Sequence, residues 1–220
     1  MEEIVIEPYS FPRCGNFLII GNRSCGKTEL ARDILRQHKP KVKIIFTECP
    51  IEWSENEPDN SGIVWPMDKY ADNSVDVYKH IITRNYKTEL HKFTQAWSKI
   101  NSDAKIVFIF DSIKWDGMET SQDLRYLFAN RNATVVITYD PVTPKSDYSL
   151  YLGPELRNCL NAIFLNTTQS KYLDQIFRIY LNNKFKPEQF LAIIRECSRY
   201  TFMVVDDPFT TSYKHYKVKF

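Results

Sequence analysis

The chain has 220 residues, of which 43% are hydrophobic and 14% aromatic, so it can bury the core of an α/β domain and lacks the composition of a disordered chain. Its formal net charge of +2 neither requires nor excludes a polyanionic partner. Because the sequence has no apolar run of about 18 residues, no CxxC pair and no basic start, we expect no membrane-spanning helix, no zinc or disulfide framework and no secretory signal.

Apolar runs alternate with segments of helical periodicity along the chain. In chain order, we predict a strand at 17–20, a helix at 27–37, a strand at 42–47, a polar loop at 49–60, a long helix within 74–100 capped at Asn73 or Ser74, a strand at 106–110, a helix at 120–130, strands at 134–138 and 162–165, helices at 170–181 and 187–197, and strands at 202–205 and 213–219. Such strands, continuously apolar and separated by helices, are typical of a mainly parallel sheet with helices on both faces. We expect one domain spanning 1–220, with a core at 16–166 and C-terminal helices and strands at 167–220, of which the last two strands add antiparallel to one edge.

The segment between the first predicted strand and the first predicted helix fits the phosphate-loop (Walker A) pattern GxxxxGK[ST]. It consists of Gly21, Asn22, Arg23, Ser24, Cys25, Gly26, Lys27 and Thr28. In this pattern the backbone N–H groups and the positive end of the helix cradle phosphate oxygens. The lysine contacts the β- and γ-phosphates, and the threonine hydroxyl ligates Mg²⁺. We therefore predict an ATP-binding loop in which Lys27 is catalytic and Thr28 is a metal ligand.

The apolar strand at 106–110 is followed directly by a carboxylate, Asp111. An acid at the end of a buried strand is the Walker B pattern, in which it holds Mg²⁺ directly or through water. The alternative is an ordinary strand that ends in a surface aspartate. The phosphate loop upstream favours the first interpretation, so we predict that Asp111 and Thr28 share the metal.

Two classes of phosphate-loop protein lack support in the sequence. No [NT]KxD motif for reading guanine occurs, and no arginine-rich lid typical of small-molecule kinases is evident. The strand at 134–138 follows the Asp111 strand, and we predict that it inserts between that strand and the one carrying the phosphate loop. This inserted strand is the arrangement of motor-type ATPases.

Later segments of the chain resemble the poxvirus-type genome-packaging ATPases of large DNA viruses and virophages, in the FtsK–HerA superfamily. The segments are Thr47-Glu48 with the loop up to Tyr70, Asn130-Arg131, 152–157 before the strand at 162–164, and 200–206 with Tyr216-Lys217. The resemblance covers 16–220. It implies an ATPase, using ATP and Mg²⁺, that moves double-stranded DNA into a capsid, forms a homo-oligomeric ring and contacts capsid or portal proteins. It further implies a location in the host cytoplasm, at the viral assembly site or in the virion.

Departures from the family's pattern leave the water-activating residue open. The family's second acid after the Walker B aspartate is Ser112 here. Asp140 stands where the family carries a glutamine, at the end of the inserted strand, and is our preferred residue for positioning water. Glu48 is a second candidate, although we expect its strand to lie at the sheet edge, too far away within one subunit. Further candidates are Asp116 and Glu119, and for each carboxylate a solvated loop position is the alternative.

The resemblance also implies an arginine that a neighbouring subunit supplies to the transferred phosphoryl group. Arg131 is the preferred residue and Arg157 the second, and an exposed arginine without this role is the alternative for either. Asn132 replaces the histidine that follows the family's arginine. The C-terminal lysines Lys214, Lys217 and Lys219 alternate with aromatic residues and could contact nucleic acid, but a solvated strand face is the favoured interpretation.

Two other functions remain open from the sequence. A nucleotide-binding assembly switch with weak hydrolysis is favoured by Ser112 in place of an acid. A small-molecule kinase would need a phosphate acceptor and a mobile lid. The four histidines lack metal-ligand spacing, so we predict no metal besides Mg²⁺.

Overall fold

A computed structural model describes residues 9–40, 42–49, 51, 53, 78–82, 85–97, 105–113, 122–140, 152–166, 170–181, 185–206 and 213–219. The strands are β1 (Asn16–Gly21), β2 (Val42–Thr47), β3 (Tyr78–Ile82), β4 (Ile106–Asp111), β5 (Ala133–Tyr139), β6 (Ala162–Asn166), β7 (Thr201–Val205) and β8 (Lys214–Lys217). The helices are α1 (Lys27–His38), α2 (Tyr86–Trp97), α3 (Gln122–Ala129), α4 (Pro154–Arg157), α5 (Ser170–Ile176), which continues as a π-helical turn (Phe177–Leu181), and α6 (Pro187–Glu196). None of these helices is long and apolar enough to cross a membrane.

The described strands form one eight-stranded sheet in the order β3-β2-β4-β5-β1-β6-β7-β8. The strands β1 to β6 are parallel, β7 is antiparallel to β6, and β8 is antiparallel to β7. The strand β5 pairs with β1 on one side and with β4 on the other. The predicted inserted strand, the mainly parallel sheet and the antiparallel addition at one edge are therefore confirmed.

Both faces of the sheet are buried. Successive side chains of each strand point to opposite faces, and in β1 both sets are buried. Leu18 and Ile20 of β1 belong to a hydrophobic cluster that contains residues of α2, α3, α5 and α6. Phe17 and Ile19 of the same strand belong to a second cluster, which contains residues of α1. The prediction of helices on both faces is confirmed, and α1 lies alone among the described helices on its face.

The predicted helix within 74–100 is present as α2, but it begins only at Tyr86, and the segment 78–82 before it is the strand β3, which was not predicted. Asn85, the residue before α2, has a left-handed φ of 53°. Periodicity alone cannot distinguish a short apolar strand from a helical segment. The segment 78–82 forms a strand and not a helix because its backbone pairs with β2 in parallel register, from Val42 opposite Tyr78 to Phe46 opposite Ile82. The cap expected at Asn73 or Ser74 lies outside the described residues.

The strand β2 was expected at the sheet edge, and this expectation is also wrong. Its neighbours are β4 on one side and β3 on the other, so β3 forms the edge. Thr47 is the register partner of Asp111. Glu48, the next residue, therefore lies one position beyond the level of Asp111 on the neighbouring strand, much closer than expected.

Candidate nucleotide-binding site

The predicted phosphate- and metal-binding residues and Asp140 lie together at the carboxyl-terminal ends of the parallel strands. The loop Gly21–Thr28 leaves β1 at this edge, Asp111 ends β4, and Asp140 follows β5. Since β4, β5 and β1 are neighbours in this order, their ends present these groups side by side. In open α/β sheets this edge is where ligands bind.

The loop requires glycine at two positions for steric reasons. Gly26 has a φ of 104°, in the left-handed region, and a Cβ there would lie 2.4 Å from Cδ1 of Tyr200. At Gly21, a Cβ would lie 2.4 Å from Sγ of Cys25 and 2.8 Å from the carbonyl oxygen of Asn166. The helix α1 begins directly after Gly26, so its first N–H groups face the concave side of the loop.

Lys27 lies across this loop and is only 7% exposed. Its Nζ donates hydrogen bonds to the carbonyl oxygens of Gly21 (2.9 Å) and Asn22 (2.8 Å). The same Nζ is 3.9 Å from Oδ2 of Asp140. The ammonium group is thus held at the mouth of the loop by acceptors that phosphate oxygens can replace.

Asp111 is buried, and both of its carboxylate oxygens accept hydrogen bonds. Oδ2 accepts from Oγ1 of Thr28 (3.1 Å) and from Nε1 of Trp53 (2.8 Å). Oδ1 accepts from Oγ1 of Thr138. The guanidinium of Arg32 lies 5.4 Å from the centre of the Trp53 ring. Sequence reasoning missed Trp53, because a tryptophan in a polar loop carries no signal of a bond to a distant carboxylate.

Thr28 and Asp111 have the chemistry expected of the predicted Mg²⁺ ligands. Mg²⁺ prefers oxygen ligands, and the hydroxyl and carboxylate oxygens are already 3.1 Å apart. The residues present therefore fit the ion.

Ser112, where the family has an acid, is exposed with a left-handed φ of 55°. Its backbone N–H donates to Oγ1 of Thr138 at 2.9 Å, so this hydroxyl connects the backbone after β4 to the carboxylate of Asp111. Glu48 is exposed at the same edge of the sheet. Asp116 and Glu119 lie outside the described residues. Asp140 lies within 3.9 Å of Nζ of Lys27, which places its carboxylate beside the loop.

Cys25 is buried within the loop, and its thiol has low reactivity. Burial raises the pKa of its thiol, and the positive charge of Lys27 only partly opposes this effect. The thiol stays protonated at neutral pH, which makes it a poor nucleophile. Its role is therefore packing beneath Gly21.

A turn from Ser198 to Thr201 supports the other flank of the loop. The N–H of Tyr200 donates to the carbonyl oxygen of Cys25 at 3.0 Å. The side-chain amide of Asn166 donates to the carbonyl oxygens of Ser198 (2.9 Å) and Thr201 (2.7 Å). The carbonyl oxygen of Asn166 itself accepts from the N–H of Asn22 at 3.0 Å. Sequence reasoning missed Asn166, because its contacts join segments far apart in the chain.

The two candidate arginines precede β5 and β6, and so lie toward the amino-terminal ends of the parallel strands, away from the site. Arg131 is exposed in the turn that precedes β5. The seven residues of β5, at about 3.3 Å each, put roughly 20 Å between it and the site in the same chain. Arg157 ends α4, and its Nη1 donates to the carbonyl oxygen of Ile179 at 2.9 Å. Arg157 therefore connects α4 to the π-helical turn.

The C-terminal lysines differ in their surroundings. Nζ of Lys214 is 3.0 Å from Oδ2 of Asp206 and 5.9 Å from the centre of the Tyr9 ring. Lys217 and Lys219 are exposed. The first of the three therefore has intramolecular partners.

The order of the strands and the loop after β1 define a P-loop NTPase fold with an inserted strand. Solved structures with this fold include the genome-packaging NTPase B204 of Sulfolobus turreted icosahedral virus 2. Its ATP-gammaS complex (TM-score 0.60, 15% identity) and its AMPPCP complex (TM-score 0.63, 18% identity) each cover 95% of this chain and 100% of that chain. The resemblance predicted from the sequence is confirmed at the level of the fold.

Two further structures share the fold. B204, the DNA-packaging ATPase of Sulfolobus turreted icosahedral virus, has a TM-score of 0.56 at 17% identity and covers 95% of this chain and 99% of that chain. The cytoplasmic domain of the type VII secretion ATPase EccC of Thermomonospora curvata has a TM-score of 0.53 at 11% identity, covering 94% of this chain and 24% of that chain. No protein-family model and no curated protein matches the sequence.

Proposed function

We propose that this protein is an ATP-hydrolysing motor that drives double-stranded DNA into a viral capsid. The observation that carries the proposal is the convergence of Lys27, Thr28, Asp111 and Asp140 at one edge of a sheet with an inserted strand. The fold is shared with packaging NTPases that have been solved with ATP analogues, which supports nucleotide binding by the same loop. Membership of the FtsK–HerA superfamily is part of this proposal.

Binding of ATP begins at the loop 22–28 and the first turn of α1, whose N–H groups donate hydrogen bonds to the phosphate oxygens. Lys27 exchanges the carbonyl oxygens of Gly21 and Asn22 for oxygens of the β- and γ-phosphates. Thr28 and Asp111 would hold Mg²⁺, which neutralises the charge of the phosphates when it is bound. The indole of Trp53 and the hydroxyl of Thr138 keep the carboxylate of Asp111 in place.

Asp140 positions the attacking water in this proposal. Its carboxylate lies 3.9 Å from Nζ of Lys27, the group expected to contact the γ-phosphate. A general base that removes a proton in the transition state contributes about 100-fold or more to the rate. Ser112 cannot provide this function, because a serine hydroxyl is not basic at neutral pH.

The substitution Asp140→Asn is expected to lower kcat for ATP hydrolysis by about 100-fold. ATP binding should be kept or become tighter, because a negative charge beside the γ-phosphate is removed. Single-turnover hydrolysis together with ATP affinity from calorimetry measures both effects. Asp174→Asn, on an exposed position of α5, is the matched control and should match the parent. Parent turnover in Asp140→Asn, with loss in Glu48→Gln, would transfer the role to Glu48.

DNA contacts of a packaging motor should go mainly to phosphates, because packaging must ignore sequence. The motor is expected to be a homo-oligomeric ring that contacts capsid or portal proteins at the viral assembly site, the host cytoplasm or the virion.

The experiment that tests the function is steady-state ATP hydrolysis with and without long double-stranded DNA at low salt. We expect stimulation by DNA that disappears as the salt concentration rises, because phosphate contacts release counterions. Hydrolysis that long DNA does not change at any salt concentration would count against the motor. ATP binding without turnover would favour the alternative of an assembly switch, for which Ser112 after Asp111 is the supporting observation. Phosphate transfer to a small molecule would indicate the kinase alternative.

A further inference from the structure

We propose that the turn Ser198–Thr201 is the nucleoside-binding side of the site, and that the guanidinium of Arg199 stacks on the adenine base of ATP. This inference rests on the proposed binding of ATP by the loop Gly21–Thr28. It assigns a role in base recognition to a residue that lies far from the phosphate-loop motif in the sequence.

The direction of the bound nucleotide follows from the order of the strands. The groups expected at the γ-phosphate and Mg²⁺ are Asp111 and Asp140, which end β4 and β5 on one side of β1. The γ-phosphate end of the triphosphate is therefore expected on that side of the loop, and the nucleoside on the opposite side. The other side consists of β6 and of the turn that precedes β7. The nucleoside is thus directed toward Arg199 and Tyr200.

The turn is attached firmly to the loop and to the sheet. The N–H of Tyr200 donates to Cys25 inside the loop, and the carbonyl oxygen of Tyr200 accepts from the N–H of Val218, both at 3.0 Å. The side-chain amide of Asn166 donates hydrogen bonds to the carbonyl oxygens of Ser198 and Thr201, on either side of Arg199 and Tyr200. Tyr200 has a left-handed φ of 66°, a conformation that costs free energy in a non-glycine residue and here is held by these bonds. A turn fixed in this way presents its side chains with little further ordering cost.

Two side chains of the turn, those of Tyr200 and Arg199, lie beside the phosphate loop. The Tyr200 ring lies directly against Gly26, where no Cβ can fit. The guanidinium of Arg199 lies over the same ring, 4.7 Å from its centre. The side chain of Arg199 is exposed, and within the described part of the chain no carboxylate forms an ion pair with it. The guanidinium of Arg199 is therefore open to solvent beside the Tyr200 ring, on the side of the loop toward which the nucleoside is directed.

Planar stacking is the interaction that this arrangement offers. A guanidinium is flat, delocalised and weakly hydrated, so it stacks on aromatic and nucleobase faces in a way that an ammonium does not. The Tyr200 ring orients the guanidinium before the ligand arrives. The site would accordingly distinguish a nucleoside triphosphate from a bare polyphosphate chain.

The test compares the affinities of ATP and of inorganic tripolyphosphate, measured by calorimetry with the full chain. In Arg199→Ala, we expect the dissociation constant of ATP to rise about tenfold and that of tripolyphosphate to stay unchanged. Arg199→Lys should lose ATP affinity to a similar degree, because it keeps the charge and loses the flat group. Arg195→Ala, an exposed arginine of α6, is the matched control and should leave both affinities unchanged.

Two outcomes would overturn the inference. Unchanged ATP affinity in Arg199→Ala would remove Arg199 from the site, and equal weakening of ATP and tripolyphosphate would assign it to the phosphates instead. Failure of the parent protein to bind either compound would instead refute the proposed ATP site itself, which Lys27→Ala probes independently by weakening both ligands. Circular dichroism of each variant confirms that the fold is kept.

Discussion

Replacing Lys27 with alanine is expected to lower kcat/KM for ATP by about 1000-fold or more. In the proposed site the ammonium contacts the β- and γ-phosphates, and its burial would make its effect on developing charge large. Steady-state hydrolysis and ATP affinity measure the loss of rate and of binding separately. A Lys27→Ala protein that hydrolyses ATP at the parent rate would remove the loop from the mechanism.

The fold should survive this substitution, although Lys27 is only 7% exposed. Among the described residues, its Nζ bonds two carbonyl oxygens of the loop and approaches the carboxylate of Asp140, so it bonds groups of the ligand site. Water can satisfy these acceptors after the substitution. The matched control is Lys92→Ala, which removes an exposed ion pair with Glu89 on α2 that contributes little to stability.

Replacing Arg131 with alanine is expected to keep ATP binding and to lower kcat by about 1000-fold or more, the effect of removing an arginine finger. The reason is geometric. Arg131 is exposed and lies at the edge of the sheet opposite to Lys27, so within one chain it cannot contact the phosphates. It can reach them only from a neighbouring subunit. Arg157 is less suited to this role, since its guanidinium already bonds Ile179.

A mixing experiment separates action between subunits from a structural role. Arg131→Ala retains an intact loop and Lys27→Ala retains an intact arginine, so a mixed oligomer contains some interfaces with both groups. Two inactive proteins should therefore regain ATP hydrolysis when they are mixed. Arg178→Ala, an exposed arginine of the π-helical turn, should hydrolyse ATP like the parent. Full activity of Arg131→Ala alone, or no recovery on mixing, would contradict the assignment.

Much of the fold could be predicted because its signals are local. Each central strand is a continuous apolar run, and each run ends at a loop or a helix whose periodicity is different. The prediction for the region before α2 was wrong because the local signal there does not distinguish a strand from a helix. The segment 78–82 is short and lies next to a helix, so only pairing with β2 made it a strand.

The sequence by itself indicated the phosphate loop, because Gly21–Thr28 is one contiguous motif between an apolar strand and a helix. It also indicated the acid at the end of β4 and the inserted strand.

Only the tertiary structure decided which distant groups complete the site. Trp53 bonds Asp111 across 58 residues of sequence, and the turn at Tyr200 closes against Cys25 and Gly26 from the far end of the chain. The pairing of β2 with β4 likewise brought Glu48 near Asp111. The physical reason is that such contacts depend on strand order and register, which many segments settle together by burying both faces of one sheet.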